Sequence, residues 1–481
     1  MLEDIINDRQ KKLKSLFKEG INPFPSKIKR TISIAEALNE FNKLSRLKKQ
    51  LFIAGRIMGL RDQGNLIFID LQDESGKIQA VFKADALVGS PTLRRGKNNL
   101  SNFKILKQNL DIGDFISVNG PLFKTQKGEK SIEAKNAEII VKSLRPLPTQ
   151  WFGLKDVEER YRKRYLDLIL NPEVKEKIKV RSEIIKKLRI DLSKDGFLEV
   201  ETPILQLIPG GALARPFITH HNALDCDFYL RVAPELYLKR LLVAGFEKIY
   251  EIGRNFRNEG IDADHNPEFT MFELYIAYEN WEGLMKFTEK LLKKFIPASP
   301  ADSAFVAEAT SAKEVASAKA GQWEKITYTE AIKKYTGKNL KNIKPNEIDE
   351  VFKKEALPKI IKPTFVTHYP KSISPFAKSC EDNPELTERF QLIVNGIEIV
   401  NGFSELNNPL DQKERMEEQE KMYRAGHPEA SRLDEDFIEA LEYGMPPAAG
   451  LGIGIDRLVA LATKSHNIKE VIAFPTLKPK S

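Results

Sequence analysis

Cysteine is nearly absent, with two among 481 residues. Cys226 and Cys380 are too far apart for a CxxC metal or redox motif. Two thiols build no disulfide framework either, so a reducing compartment is expected. Histidine is almost as scarce. The six are scattered, and the neighbours His220 and His221 cannot share one helix face as metal ligands. No run of about 18 apolar residues, the length of a membrane span, is free of charge. The best candidate, Pro446 to Ala462, contains Asp456 and Arg457. The start, Met1-Leu2-Glu3-Asp4, is acidic and unlike a secretion signal. A GxxxxGK[ST] phosphate loop, a catalytic triad pattern and a solenoid repeat are all missing. These absences predict a soluble, cytoplasmic protein with no membrane partner.

What is present supports a large folded chain. Hydrophobic residues make up 41% and charged residues 30%, which excludes wholesale disorder, and the length suggests about three domains. The net charge of +8 is uneven: residues 1–150 carry 27 Lys and Arg against 16 Asp and Glu, whereas the remainder carries 49 against 52. A basic N-terminal third suggests a polyanion partner, although a solvated basic face fits the same count.

Apolar spacing predicts a helical extension over 1–50, interrupted at Asn22-Pro23-Phe24-Pro25. From Leu51 the period changes to two. Five short strands are expected, at Leu51–Gly55, Asn65–Leu71, Lys77–Phe82, Asp114–Gly120 and Ser131–Val141. That number over 51–145 suggests a small closed barrel of the OB-fold type. Phe68, Phe82 and Phe123 lie among Arg56, Arg61, Lys124 and Lys127. The mixture suits single-stranded nucleic acid, and equally a barrel core with solvated lysines. Arg145-Pro146-Leu147-Pro148 opens a linker over 146–170, and a mixed helix-and-strand domain follows over 171–481. Residues 298–322 are an Ala/Ser-rich insert on which no chemistry is placed.

Four segments of that last domain carry chemistry. Gly196-Phe197-Leu198-Glu199-Val200-Glu201-Thr202-Pro203 reads as a helix end, a turn and an edge strand stopped by proline. Phe256-Arg257-Asn258-Glu259-Gly260, then His265-Asn266-Pro267-Glu268-Phe269-Thr270-Met271-Phe272-Glu273-Leu274, reads as strand, loop, strand. Arg257, Glu259 and Glu273 interrupt apolar surroundings there; an arginine so placed can hold a carboxylate and a phosphate, or form a structural ion pair. Glu398-Ile399-Val400-Asn401-Gly402-Phe403-Ser404-Glu405 sets polar groups among apolar ones, and Glu398 can offer oxygen to Mg²⁺. Gly450-Leu451-Gly452-Ile453-Gly454-Ile455-Asp456-Arg457 is a small-residue strand entering a helix. Its glycine spacing is wrong for a dinucleotide fingerprint, but it lets a flat group lie against the strand with Arg457 near a phosphate.

In order, these segments resemble motifs 1, 2 and 3 of the class II aminoacyl-tRNA synthetases, and the whole chain is most similar to class II lysyl-tRNA synthetases of the bacterial type. Ile21-Asn22-Pro23, Arg56-Ile57-Met58, Arg145-Pro146-Leu147-Pro148, Pro209-Gly210-Gly211-Ala212, Asn401-Gly402-Phe403-Ser404-Glu405-Leu406 and Phe474-Pro475 extend the match. The resemblance implies an α+β protein: an OB-fold barrel, then a catalytic domain with an antiparallel sheet of six or seven strands flanked by helices, in a homodimer. It implies lysine–tRNA ligation using ATP, L-lysine, lysine tRNA and Mg²⁺. Arg257 and Arg457 would be catalytic, and Glu259, His265, Asn266 and Phe269 would join them around ATP. Gly211 and Glu235 would take the α-ammonium of lysine, Arg257 and Asn401 its carboxylate, and Glu273, Tyr275 and Glu405 its ε-ammonium. Phe68, Gln79 and Glu129 would read the anticodon. Glu398 and Gln391 would face the metal, with Gln391 standing where the bacterial pattern has a second glutamate.

Two rivals remain. Aspartyl- and asparaginyl-tRNA synthetases share barrel and motifs, but their substrates do not call for acidic Glu273 and Glu405. A non-catalytic RNA-binding paralogue would be expected to lose Arg257 and Arg457, and both are present.

Overall fold

The computed structural model describes residues 2–86, 102–148, 154, 156–296, 323–344, 347–427 and 429–480. The Ala/Ser insert expected at 298–322 lies outside the described residues. The chain divides into two compact units, Met1–Gly153 and Leu154–Ser481.

The first unit is a seven-stranded barrel sheet, where five strands were expected. Strands β1 (Leu51–Asp62), β2 (Leu66–Gln72), β3 (Lys77–Lys83), β4 (Phe115–Gly120), β5 (Leu122–Lys124), β6 (Lys130–Ala134) and β7 (Asn136–Val141) run in the order β5-β6-β3-β2-β1-β4-β7. The segment expected as one strand from Ser131 changes partners at Lys135. β6 pairs with β3 and β5, whereas β7 pairs with β4. Alternation in β2 buries Ile67, Ile69 and Leu71 and leaves Phe68 and Asp70 on the outer face.

The N-terminal helices α1 (Leu2–Lys18), α2 (Ile34–Asn39) and α3 (Phe41–Arg46) are part of this unit's core through Leu16, Ile34, Phe41 and Leu44. Polar bonds fasten α1 as well. Arg9 donates to the carbonyls of Ile112 (2.9 Å), Ser143 (3.1 Å) and Arg145 (3.0 Å). Beside it, the buried Lys142 ammonium is paired with Asp114 at 2.7 Å.

The second unit is built on an eight-stranded sheet, one strand more than the larger expected number. Its strands are β8 (Leu198–Glu199), β12 (Lys248–Phe256), β13 (Glu268–Ala277), β14 (Glu324–Thr327), β15 (Thr364–Thr367), β16 (Arg389–Val394), β17 (Ile397–Ser404) and β18 (Ala448–Gly454). They run in the order β14-β15-β16-β17-β18-β13-β12-β8 and are antiparallel except for the outermost pair at each end. A smaller sheet holds β9 (Leu205–Gln206), β10 (Phe217–His221) and β11 (Cys226–Leu230).

Period-two alternation decides what each face of the large sheet meets. Phe272, Leu274 and Ile276 of β13 pack into a core shared with the helices Pro172–Lys194, Trp281–Leu292 and Ile455–Ala462. Met271, Glu273 and Tyr275 point to the other face, where the helix Glu235–Val243 also packs. β8 lies at the sheet edge, as expected, but it ends at Glu199, four residues before Pro203.

Candidate functional site

A cavity of about 530 Å³ opens on that second face. Strand register builds its floor. Glu273 of β13 lies opposite Gly452 of β18, which lies opposite Asn401 of β17, which in turn lies opposite Gln391 of β16. The next row is Tyr275, Gly450, Phe403 and Arg389. Glycine is needed at 450, where a Cβ would overlap the Glu405 carboxylate and the Tyr275 ring. At 452 a Cβ would be in ordinary contact with Glu273 Cγ and Met271 Sδ, each at 3.7 Å. The small residues of β18 therefore form a shallow track between walls of functional side chains.

One end of the cavity is acidic. Glu235 and Glu273 line it, Glu405 lies buried just behind Gly450, and all three are almost wholly shielded from solvent. Burial, with the neighbouring Glu235 carboxylate adding to it, pushes the carboxyls of Glu273 and Glu405 up to about 8, for Glu405 against the pull of the Lys239 ammonium. Burial also raises Glu235, against the pull of the Lys239 ammonium. Tyr275 Oη donates to Glu273 Oε2 at 3.2 Å. Glu405 Oε1 has no hydrogen-bond partner. Three buried carboxyl groups sharing one site suit a ligand that brings positive charge.

The other end is cationic. Arg257 follows β12, its backbone N–H bonded to Pro267 O at 2.9 Å, and its guanidinium sits 5.1 Å from the Phe269 ring centre. Burial lowers its pKa, a guanidinium nonetheless stays charged, and its Nε–H is buried without an acceptor. An unpartnered buried donor on a cation marks a place for an anion. Arg457, in the first turn of the helix after β18, donates to the Glu398 carbonyl at 3.2 Å and lies 3.1 Å from His265 Nε2. Asp262 holds the other nitrogen of that imidazole at 2.9 Å. Asn266 is buried; its amide donates to Glu268 O, and its own oxygen is unpartnered.

Nearly all the residues expected from sequence line this one cavity: Gly211, Glu235, Arg257, Glu259, His265, Asn266, Phe269, Glu273, Tyr275, Gln391, Glu398, Asn401 and Arg457. Glu405 is the exception, one layer behind the floor. Two participants escaped the sequence reading. Lys239 lies one helical turn after Glu235, a spacing that could have revealed it. Arg389 donates from Nε to Asn401 Oδ1 at 2.9 Å, leaving the Asn401 amide N–H groups for the cavity. No local sequence signal marked it, because strand pairing alone brings it there.

At the expected metal position the side chains of Gln391 and Glu398 touch. The Gln391 amide oxygen accepts from Tyr369 Oη at 2.7 Å, and its amide nitrogen donates to Glu398 Oε2 at 2.9 Å. As placed, Gln391 holds Glu398 in position. Among the described residues no cluster of three or more His, Cys, Asp or Glu could bind a metal ion.

In the first unit, register gathers a second set. Phe68 of β2 lies opposite Arg61 and Val81, and Asp70 opposite Gln79, which lies opposite Ser131, which lies opposite Phe123. Phe68, Gln79 and Phe123 therefore share the outer face, with Glu129 exposed in the turn between β5 and β6. Phe82 does not join them. It is fully buried in the barrel core, because alternation along β3 sets it on the same face as Ile78 and Ala80, opposite Ile67 of β2. Arg56 is also withdrawn, half-buried over the Phe115 ring.

Comparison with known proteins agrees with this layout. Residues 156–478 match the family model "tRNA synthetases class II (D, K and N)", and residues 52–142 match an OB-fold nucleic acid binding domain. The chain is 46% identical to the lysine–tRNA ligase of Pelotomaculum thermopropionicum, over 100% of this chain and 96% of that protein. It is 47% identical to the lysine–tRNA ligase of Carboxydothermus hydrogenoformans, over 100% and 99%. With Syntrophomonas wolfei the figure is 47%, over 98% and 97%. A barrel, a glycine-floored antiparallel sheet and a family match across most of the larger unit lead to one statement: the chain belongs to the class II tRNA synthetases (D, K and N).

Proposed function

We propose that this chain is a lysine–tRNA ligase, which activates L-lysine with ATP to lysyl-adenylate and pyrophosphate and then transfers lysine to the terminal adenosine of lysine tRNA. The observation that carries the choice of amino acid is the buried group Glu235, Glu273 and Glu405 at one end of the cavity. An aspartate or asparagine side chain would bring no positive charge to it. The relatives bearing the name lysine–tRNA ligase along the whole length support the same choice.

In this reading the α-ammonium of lysine lies at Gly211 and Glu235, and its ε-ammonium at Glu273, Tyr275 and Glu405. The carboxylate lies between Asn401 and Arg257. ATP lies along Glu259, His265, Asn266, Phe269 and Arg457. The lysine carboxylate is ionised at neutral pH and needs no general base. One of its oxygens attacks the α-phosphorus of ATP in line, and pyrophosphate leaves. Arg257 spends its free N–H on the charge that builds up there. The terminal ribose hydroxyl of tRNA then attacks the adenylate carbonyl, and AMP leaves.

Mg²⁺ enters with the phosphates of ATP, whose charge it offsets, and Glu398 would meet it. With Gln391 holding Glu398 but adding no charge, the enzyme is active and its metal requirement is altered. Gln391→Glu places a second carboxylate beside Glu398, so the Mg²⁺ concentration giving half-maximal exchange should fall several-fold. An unchanged Mg²⁺ titration removes Gln391 from the metal account.

Phe68, Gln79 and Glu129 would read the anticodon on the barrel's outer face. Stacking of a base on an aromatic ring contributes about 1–3 kcal/mol, so Phe68→Ala should lower kcat/KM for tRNA roughly tenfold to a hundredfold. Activation of lysine without tRNA should not change. A loss confined to the tRNA-independent step contradicts this assignment. Leu205, Leu207 and Ile218 of the second unit are exposed apolar side chains, which supports a homodimer. The direct test of the function is charging of unfractionated tRNA with each labelled amino acid. Lysine should be the one accepted, and acceptance of another in its place overturns the reading.

A further inference from the structure

Lys239 has no place in the chemistry above, yet it is among the most buried charges of the chain, at 0% exposure. Its ammonium lies 2.6 Å from Glu235 Oε1 and 2.6 Å from Glu405 Oε2, so it joins a carboxylate of the cavity wall to one behind the floor. The rings of Phe376 and Phe403 lie 5.0 and 5.6 Å from the same nitrogen and keep water away. The helix Glu235–Val243 fixes it, since residues four apart stand one above the other on a helix.

The charge count gives this arrangement a purpose. Glu235, Glu273 and Glu405 supply three negative charges in one dry region, and the substrate supplies two ammonium groups there. Its carboxylate is held elsewhere, by Arg257 and Asn401. One charge is left over, and Lys239 is the buried cation that touches the carboxylates.

We propose that Lys239 is a positioning residue for lysine recognition, bridging Glu235 and Glu405 so that the three-carboxylate pocket, once ionised around the substrate, carries two net negative charges, the complement of its two ammonium groups. This rests on the lysine reading of the cavity. The surrounding charges are consistent with it. Glu235 and Glu405 face Lys239 directly, Glu273 and Tyr275 face them from β13, and Arg389 reaches Glu235 electrostatically from β16. Although burial alone would lower the pKa of Lys239, the two carboxylates hold it above its ordinary value. Lys239 in turn pulls Glu235 and Glu405 down against burial, which favours their ionised forms.

The test is ATP–pyrophosphate exchange by Lys239→Gln, which is close in size and still donates a hydrogen bond, measured from pH 6.5 to 9. Losing the charge of a buried ion pair should raise KM for lysine about 10- to 100-fold at neutral pH. KM for ATP should stay within about twofold, because its site lies at the other end of the cavity. Without the ammonium the pocket keeps a proton instead. The pH at which kcat/KM for lysine reaches half its plateau should therefore move upward, and the defect should shrink as pH rises. A purely structural role would raise both KM values together and leave the midpoint in place, which overturns the proposal.

If Lys239→Gln does not fold, Glu405→Gln is compared with the double variant Glu405→Gln/Lys239→Met, which removes the buried pair together. A further rise in KM for lysine in the double variant supports the bridge to Glu235, and identical values overturn it. The unmodified enzyme separates the two levels. If it does not use lysine at all, the proposed function has failed. If it does and the variants match it, only the role of Lys239 has failed.

Discussion

Arg257→Ala is expected to lower kcat for lysine-dependent ATP–pyrophosphate exchange by about a thousandfold, the scale at which removing a preorganised charge-stabilising donor acts. The side chain touches the Phe269 ring, and its Nε–H has no acceptor among the described residues. Its backbone, which the substitution leaves alone, carries the bond to Pro267. Little of the fold depends on the guanidinium, so the thermal midpoint should hardly move while the rate collapses. Arg257→Lys should rescue little of it, because an ammonium is a point charge and cannot spread donors over a carboxylate and a phosphate at once. A variant that keeps more than about a tenth of the wild-type kcat excludes Arg257 from charge stabilisation in the reaction.

Glu273→Gln carries the second large effect. Glu273 is buried, has no cation paired to it, and receives one bond, from Tyr275. Removing a carboxylate that meets an ammonium in such a place costs about 2–5 kcal/mol, so KM for lysine should rise on the order of 100-fold with KM for ATP little changed. The pH dependence has a definite sign. Burial raises Glu273 and Glu405 to about 8, so both are largely protonated in the free enzyme at pH 7 and must ionise to hold an ammonium. Wild-type kcat/KM for lysine should therefore climb from pH 6.5 through about 8 and level off only about a unit above that. The climb should be shallower in Glu273→Gln, where one of the two groups is gone.

Stability runs the opposite way. A carboxyl whose folded pKa exceeds its unfolded value lends stability at low pH and withdraws it as pH rises through the folded pKa. The ligand-free enzyme should accordingly lose thermal stability as pH rises from about 4.5 to about 8 and change little beyond, and saturating lysine should restore it at the upper end. A flat kcat/KM profile together with pH-independent melting would show that Glu273 and Glu405 are not the groups lysine meets.

What sequence could and could not show follows from how each feature is encoded. Most barrel strands, helix ends and the edge strand after Gly196 are local patterns, and they were legible. The division of Ser131–Val141 was not, because the exchange of partners at Lys135 depends on β3, β4 and β5, which lie elsewhere in the chain. Phe82 was misplaced for a different reason. Its ring stands next to Lys83 in a strand that also carries Lys77, but alternation sets it on the face of Ile78 and Ala80, and so in the core. In the cavity, Arg257, Glu273 and Arg457 stood out because charges are rare among apolar neighbours.

Gln391 was correctly placed beside Glu398, yet its orientation follows from Tyr369, twenty-two residues earlier, which no motif links to it. Lys239 was one helical turn from a residue already singled out. It passed unnoticed because a lysine on a helix ordinarily faces water. Arg389 and Glu405 show the limit on each side. The first has no local mark, and the second has one, but its place behind Gly450 appears only when strands β17 and β18 are side by side.

The central claim is that this cavity joins ATP to lysine. It is tested most directly by ATP–pyrophosphate exchange with each of the twenty amino acids in turn, without tRNA, across a range of Mg²⁺ concentrations. The account predicts exchange with lysine and none with aspartate or asparagine. Exchange with aspartate or asparagine but not lysine would mean that Glu235, Glu273 and Glu405 do not face the substrate. No exchange with any amino acid at any Mg²⁺ concentration would contradict the catalytic reading altogether and leave a protein that binds RNA without activating an amino acid.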